Sequence, residues 1–486
     1  MKHTMHASHS FRFPRRALAL AACACLASGC AVGPAYQRPT TPAPAQYKEA
    51  QGWAPAAPAD SLERGPWWTL FGDPVLNQLA AGVEVSNQNV AAAAAAYEQA
   101  RALVRGQRAA LFPSLSLSGG ATRSGAGGGA NNSANNANNS GGGGAATNYR
   151  AALGASWEPD IWGRLRAGVD GAAAGAQASA ADLAAARLSA QGELATDYFS
   201  LRQSDAQLAL LADTVAGYQR VLAITQNRFD AGIAAKSDLL QAQTQLANAQ
   251  IGSLTAARSR ARFEHAIAVL LGKTPAEFTL PVLAWQPRVP AIPPGLPSTL
   301  VQRRPDIAAA ERRVAVANEQ IGIARAAYFP SLSLTGSYGA SASRVGDLLN
   351  ASNSLWSLGL SAAQTLFDAG ATAAKVAGAR AARDAAIAHY RQTVLSAFGE
   401  VEDQLSATHV LAQQQDLHRQ AARAADQVQA QLLNRYRAGQ VVYSDVVAAQ
   451  VTALSARQAL IQAQADSQTT AVALIQALGG GWRAPE

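Results

Sequence analysis

The second half of this 486-residue chain repeats its first half. Residues 112–118 (Phe-Pro-Ser-Leu-Ser-Leu-Ser) recur almost unchanged as 329–335, and 227–232 recur as 434–439. In the first copy, the Gly/Asn run 125–144 accounts for the extra length, since it has little apolar surface to bury and is typical of a flexible loop. A duplication on this scale predicts two copies of one structural unit.

Each copy contains segments in which apolar and polar residues alternate, which predicts strands. We expect one hairpin at about 113–158 and a second at about 330–366. The apolar positions are Leu115, Leu117, Tyr149, Ala151, Leu153, Ala155 and Trp157, then Leu332, Leu334, Trp356, Leu358, Leu360 and Ala362. Such a face meets lipid in outer-membrane barrels while a Ser/Gly face lines water; the alternative is a soluble hairpin packed on its own helices.

Four strands are too few to close a membrane barrel, because the smallest outer-membrane barrels use about eight. An open sheet would leave two unpaired edges in hydrocarbon, where backbone groups find no hydrogen-bond partner. We therefore expect several identical chains to share one barrel. The pattern alone permits two, three or four.

Two proline-free stretches, 164–228 and 370–435, predict helices of about 100 Å at 1.5 Å per residue. In the first, apolar residues recur every seven positions, as in a coiled-coil seam: Leu194, Leu201, Leu208, Val215, Leu222 and Phe229. Shorter helices are expected at about 76–111, 238–271, 306–328 and 445–478. An ordinary solvated coiled-coil rod is the competing interpretation.

Each long helix is expected to end at a glycine, Gly232 or Gly439, because glycine favours helix termination. The sequence Ser-Asp then precedes each returning helix, and these side chains are predicted to cap it. The aspartates are Asp238 and Asp445.

The first 29 residues have the basic, apolar and small-residue regions of a secretory signal peptide. Export would leave one cysteine, Cys30, so an internal disulfide is excluded and a lipid attachment site is indicated. The formal net charge of +8 includes four positive charges of the leader. The small remainder argues against nucleic-acid binding.

In several motifs the chain resembles the TolC-like outer membrane efflux proteins, in their lipid-anchored NodT/OprM-like branch that serves resistance-nodulation-division (RND) pumps. The motifs occupy 30–39, 67–76, 112–115, 304–307 and 329–332, together with the two Arg-aromatic-x-x-Gly tips. The resemblance implies a mostly α fold with a small β part. It implies a duplicated long-helix α-barrel and four strands per protomer that complete a trimeric 12-stranded outer-membrane β-barrel.

The resemblance also implies a domain plan. It comprises a signal peptide (1–29), a lipid-anchored N-terminal segment (30–72), a first repeat (73–272, tip about 229–238), an equatorial linker (273–303), a second repeat (304–480, tip about 436–445) and a tail (481–486). Asp238, Asp445 and Tyr443 match the family's periplasmic gate. The turns at Gly232 and Gly439 would contact a periplasmic adaptor, and the other partners would be an inner-membrane RND pump and outer-membrane lipid.

No enzyme site is predicted, and neither a metal nor a cofactor. The histidines that follow the leader form no metal-binding i, i+4 pair; they are His265, His389, His409 and His418. The acidic cluster of Glu400, Glu402 and Asp403 is expected to be a solvated helix face. The predicted function is passive efflux of drugs or other small solutes, and the alternative is a structural or adhesive coiled-coil surface lipoprotein.

Overall fold

The computed structural model describes residues 32–41, 44, 46–49, 66–125, 145–290, 292 and 304–480. The predicted signal peptide, Cys30 and the tail 481–486 lie outside the described residues. The chain divides into two compact units. Unit 1 takes its residues from 1–38, 99–176 and 313–386, and unit 2 from 39–98, 177–312 and 387–486. Each unit therefore contains segments of both sequence repeats.

Helices dominate the described residues, and a single small sheet accompanies them. The α-helices are α1 (Pro74–Ser86), α2 (Gln88–Ala109), α3 (Arg164–Asp230), α4 (Lys236–Leu270), α5 (Pro305–Ala326), α6 (Ala371–Arg437) and α7 (Tyr443–Ala477). The strands are β1 (Ser114–Ser124), β2 (Ala146–Trp157), β3 (Ser331–Ala342) and β4 (Ser354–Ala363). Short 3₁₀ turns lie at Trp67–Phe71, Pro275–Glu277, Val345–Leu349 and Ala351–Asn353. The predicted mostly α fold with a small β part is confirmed.

The duplication is visible in the helix lengths. The helices α2 and α5 each have 22 residues. The helices α3 and α6 each have 67, and α4 and α7 each have 35. Two copies of one helix–hairpin–helix–helix unit therefore make up most of the chain. None of the helices in the described residues is both long and apolar enough to cross a membrane.

The four strands form one antiparallel sheet in the order β1-β2-β3-β4. Register places Leu117 opposite Leu153 and Leu334 opposite Leu360, while Ser337 lies opposite Ser357. Because residues directly opposite each other point to the same side, one face is apolar and the other is rich in Ser and Gly, as the alternation predicted.

The described residues of the chain leave the apolar face of the sheet uncovered. The exposed fraction is 82% for Leu117 and 79% for Trp356. In addition, β1 and β4 each pair on one side only, so two sheet edges are unpaired in the described part of the chain. This excludes, for the single chain, a hairpin packed on its own helices.

The helix predicted at about 76–111 is wrong in one respect, because Asn87 divides it into α1 and α2. The backbone of Asn87 is extended, with φ −69° and ψ 124°. Its side-chain Oδ1 accepts from the backbone N–H groups of Asn89 and Val90 at 2.9 and 3.2 Å, and its Nδ2 donates to the carbonyl of Leu270 at 2.9 Å. Asn87 therefore caps α2 and ties it to the end of α4.

The core of unit 2 lies along the long helices. Leu194 and Leu201 of α3 are buried, as are Val394, Val401 and Leu405 of α6. Farther along α3 the buried residues are no longer those of the predicted heptad seam. They are Leu211, Tyr218 and Thr225, which also recur every seven residues.

Candidate functional site at the helix tips

Two tip turns join the long helices to the returning helices, and each requires a glycine. Gly232 has φ +72° and Gly439 has φ +75°, in the left-handed region. Their N–H groups donate to the carbonyls of Phe229 and Tyr436 at 2.8 and 2.9 Å. A Cβ at either glycine would meet no other atom within 4 Å, so the backbone conformation alone demands glycine.

Tyr443 is the first residue of α7 and packs inside its own chain. It is 2% exposed, and its ring centroid lies 5.3 Å from that of Tyr436, which is 3% exposed. Val221, Ala242 and Val446 complete this buried group, which we call the tip cluster. The second tip turn is thus held against α3 and α4 by aromatic packing.

Arg228, near the end of α3, secures the second tip from the side. Its Nη1 donates to the carbonyl of Tyr436 at 2.8 Å, and its guanidinium carbon lies 4.7 Å from the centre of the Tyr436 ring. Arg228 Nε and the Tyr436 hydroxyl are buried and have no hydrogen-bond partner among the described residues. The cation–π contact is the kind that guanidinium groups favour, and it links the two repeats at their tips.

The predicted capping by Asp238 and Asp445 is wrong. The N-cap residues are Ala235 and Val442, neither of which makes a side-chain cap bond. Both helices begin two residues earlier than the Ser-Asp pairs predicted, so each aspartate is the third helical residue. There the carboxylates face the positive end of the helix dipole, an interaction worth about 0.3–1 kcal/mol.

The two aspartates have different surroundings. Asp238 is half-buried and Asp445 is exposed. Burial is the main cause that raises the pKa of Tyr443 to about 12, and the negative charge of Asp238 contributes. The structure therefore places Asp238 where its charge acts on Tyr443, whereas Asp445 is exposed to solvent in the single chain.

A buried charge network that sequence reasoning missed fixes the proline-rich linker to the long helices. Asp205 is 1% exposed at its side chain and accepts from Arg202 Nη1 at 2.9 Å and from Arg260 Nε at 2.7 Å. Arg202 also donates to the carbonyl of Pro281 at 2.8 Å, and Arg260 to that of Leu280 at 2.6 Å. The available signal was a charged pair at i, i+3 between heptad leucines.

The acidic residues of α6 that were expected to face solvent hold other segments. Glu400 accepts from Arg304 Nη1 at 2.6 Å. Glu402 accepts from the backbone N–H groups of Lys48 and Glu49 at 2.7 and 2.9 Å. Glu400 and Asp403 are exposed, as predicted for a solvated face, whereas Glu402 is half-buried beside the segment that contains Lys48 and Glu49. Within the part of the chain that the structure describes, no group of three or more His, Cys, Asp or Glu residues could hold a metal ion.

Comparisons with known proteins match nearly the whole chain. The family model for outer membrane efflux protein matches residues 81–273 and 296–480. The antibiotic efflux pump outer membrane protein ArpC of Pseudomonas putida is 32% identical over 469 residues, 96% of this chain and 95% of that protein.

Two solved structures have the same fold. The outer-membrane channel OprN has a TM-score of 0.82 and 30% identity, covering 93% of this chain and 100% of that chain. The open state of the MtrE outer membrane channel of Neisseria gonorrhoeae has a TM-score of 0.82 and 28% identity, covering 94% of this chain and 99% of that chain.

Proposed function

Because the chain belongs to the outer membrane efflux protein family, we propose that three copies of it close a single channel through the outer membrane. The protein is the outer membrane channel component of an efflux pump and extends into the periplasm.

The four-stranded sheet is the observation that supports a barrel shared between protomers. One of its faces is apolar and exposed, and β1 and β4 each have an unpaired edge. In hydrocarbon those edges need partners, because lipid offers no hydrogen bonds. Pairing β1 of one protomer with β4 of the next satisfies both edges, and three protomers supply the 12 strands that the family resemblance implies.

The helix tips are the proposed periplasmic gate and adaptor contact. The turns at Gly232 and Gly439 expose Ile233 and Val442, which offer apolar contacts to a periplasmic adaptor joined to an inner-membrane RND pump. The tip cluster stabilises the closed packing of the tip, and Asp238 and Asp445 contribute carboxylates around the bore. An open state is described for MtrE, which supports a tip that opens.

The anchor is proposed to be a lipid on Cys30, outside the described residues. Diacyl and N-acyl chains would hold the N-terminus firmly, since each buried methylene contributes about 0.8 kcal/mol. Val32, two residues after Cys30, lies near the sheet. Its backbone N–H donates to the carbonyl of Trp162, five residues after the end of β2, at 3.4 Å.

The cargo is proposed to be drugs and similar small solutes, moved passively and without catalysis. ArpC, which matches over 96% of this chain, is named an antibiotic efflux protein. Transport of this kind requires a continuous path and a gate, with the driving force supplied by the pump.

Deletion and reconstitution together test this function. A strain that lacks the protein should become more sensitive to antibiotics, and the purified protein should produce ion conductance in planar bilayers. Unchanged sensitivity together with no conductance would contradict the proposal and favour a structural or adhesive role.

A further inference from the structure

A cavity of about 600 Å³ lies in unit 1 beside the start of β3. One wall is the end of α5 and the residues that follow it, including Arg325, Tyr328 and Phe329. The first part of α6 also lines the cavity, with Val376 and Arg380 one helical turn apart on the same face of the helix. A cavity of this volume is large enough for a small ligand or a lipid headgroup.

Two positively charged side chains, Arg325 and Arg380, line the cavity. Neither forms an ion pair with another described residue, whereas the neighbouring Arg383 pairs with Asp384 at 2.9 Å. Arginine binds phosphate groups with its planar set of donors. The cavity is therefore suited to an anion that carries a phosphate.

The cavity lies directly next to the membrane-embedded sheet. Phe329, in its wall, is two residues before β3 begins and stacks on Trp162 at 4.8 Å between ring centroids. Trp162 Nε1 in turn donates to the carbonyl of Pro330 at 2.7 Å. Aromatic side chains at this position are typical of the membrane–water interface, which is the level of lipid headgroups.

Apolar lining accompanies the charge. Val376 and Phe329 line the cavity together with Val32, which lies two residues after the proposed lipid anchor. The acyl chains of a phospholipid bound at this level would contact these side chains, and the phosphate of its headgroup would contact the arginines. A free phosphate ion would use only the arginines.

We propose that this cavity binds the headgroup of an anionic phospholipid, of the phosphatidylglycerol class, from the periplasmic leaflet of the outer membrane. Arg325 and Arg380 bind the phosphate, and the aromatic and aliphatic lining receives the start of the acyl chains. The inference rests on the membrane location of the sheet and is independent of gating and cargo.

Native mass spectrometry of the purified, detergent-solubilised protein tests the site, with phosphatidylglycerol and phosphatidylcholine as probes. The wild type should retain phosphatidylglycerol more strongly than phosphatidylcholine. The double variant Arg325→Gln/Arg380→Gln should lose about 25-fold in affinity, the product of about fivefold for each arginine near the membrane surface. Arg383→Gln, which makes the same charge change on the same helix, should bind like the wild type.

Three results would overturn the proposal. They are equal retention of the two lipids, unchanged phosphatidylglycerol binding by the double variant, and displacement of the lipid by inorganic phosphate at equal concentration. Bilayer conductance of the double variant should match the wild type. Normal conductance with lost lipid binding therefore separates this site from the channel function.

Discussion

Replacing Tyr443 by alanine should loosen the closed helix tip. Tyr443 is 2% exposed and packs on the Tyr436 ring. Truncating a fully buried aromatic residue to alanine costs about 3–5 kcal/mol, because packing is lost and a cavity remains. If all of that energy belongs to the closed packing, the ratio of closed to open tips falls by at most about 10²-fold to 4 × 10³-fold, at about 1.4 kcal/mol per factor of ten.

Single-channel recording of the Tyr443→Ala protein measures this effect as a higher open probability or conductance. Hydrogen exchange should show reduced protection at the second tip turn in the same sample. The matched control is Tyr436→Phe, which removes only a buried hydroxyl that has no partner among the described residues. That control should be neutral or stabilising, since no hydrogen bond is lost.

If hydrogen-exchange protection at the tip is lost in Tyr443→Ala while the conductance and open probability stay unchanged, the proposed link between tip packing and channel opening is refuted. It would mean that the tip cluster packs the tip turn without restraining the bore. Equal effects of Tyr443→Ala and Tyr436→Phe would also refute it, because the magnitude comes from the ring and not from the hydroxyl.

Three further predictions concern charge and anchoring. Burial and the adjacent Glu193 raise the pKa of Asp197 to about 6. The protonated carboxyl group therefore gives full stability below the unfolded pKa of 3.8, and that stability is lost as pH rises through 6. Asp197→Asn should stabilise the solubilised protein against thermal unfolding by about 1 kcal/mol at pH 7.5, discounted for partial exposure, and by about a fifth of that at pH 4. Equal gains at both pH values would contradict this assignment. The double variant Asp238→Ala/Asp445→Ala should raise bilayer conductance, and unchanged conductance would limit the aspartates to helix-dipole interactions. Cys30→Ser should abolish acyl labelling, and labelling that persists would show the anchor to be wrong.

The features that sequence predicted best were those with a local physical cause. Alternation along β1 to β4 predicted the two faces of the sheet because side chains of a strand alternate sides whatever the partner. Proline-free stretches predicted the 67-residue helices α3 and α6, and the required left-handed φ made Gly232 and Gly439 recognisable as turns.

The features that sequence missed depend on partners distant along the chain. Asn87 breaks the first helix partly because the carbonyl of Leu270 is there to accept its amide. Arg228 was recognisable only as part of a motif, since its role depends on Tyr436 of the other repeat. The burial of Asp205 could not be predicted from the sequence, because its partner Arg260 belongs to another helix. The helices α4 and α7 begin two residues before the predicted positions. Asp238 and Asp445, which were predicted to be caps, therefore lie in the first helical turn.

Cross-linking of the sheet edges tests the shared barrel most directly. Within one chain β1 and β4 are separated by two strands, so Ser116 and Ser357, which face the same side at the same level, are about 14 Å apart at about 4.8 Å per strand. This exceeds the reach of a disulfide, for which Cα atoms must be within about 7 Å. Cysteines at Ser116 and at either Ser357 or Ser361, oxidised in the membrane, should give linked chains in a ladder that ends at three. Chains that remain monomeric under every pairing, or a ladder that continues beyond three, would contradict the account.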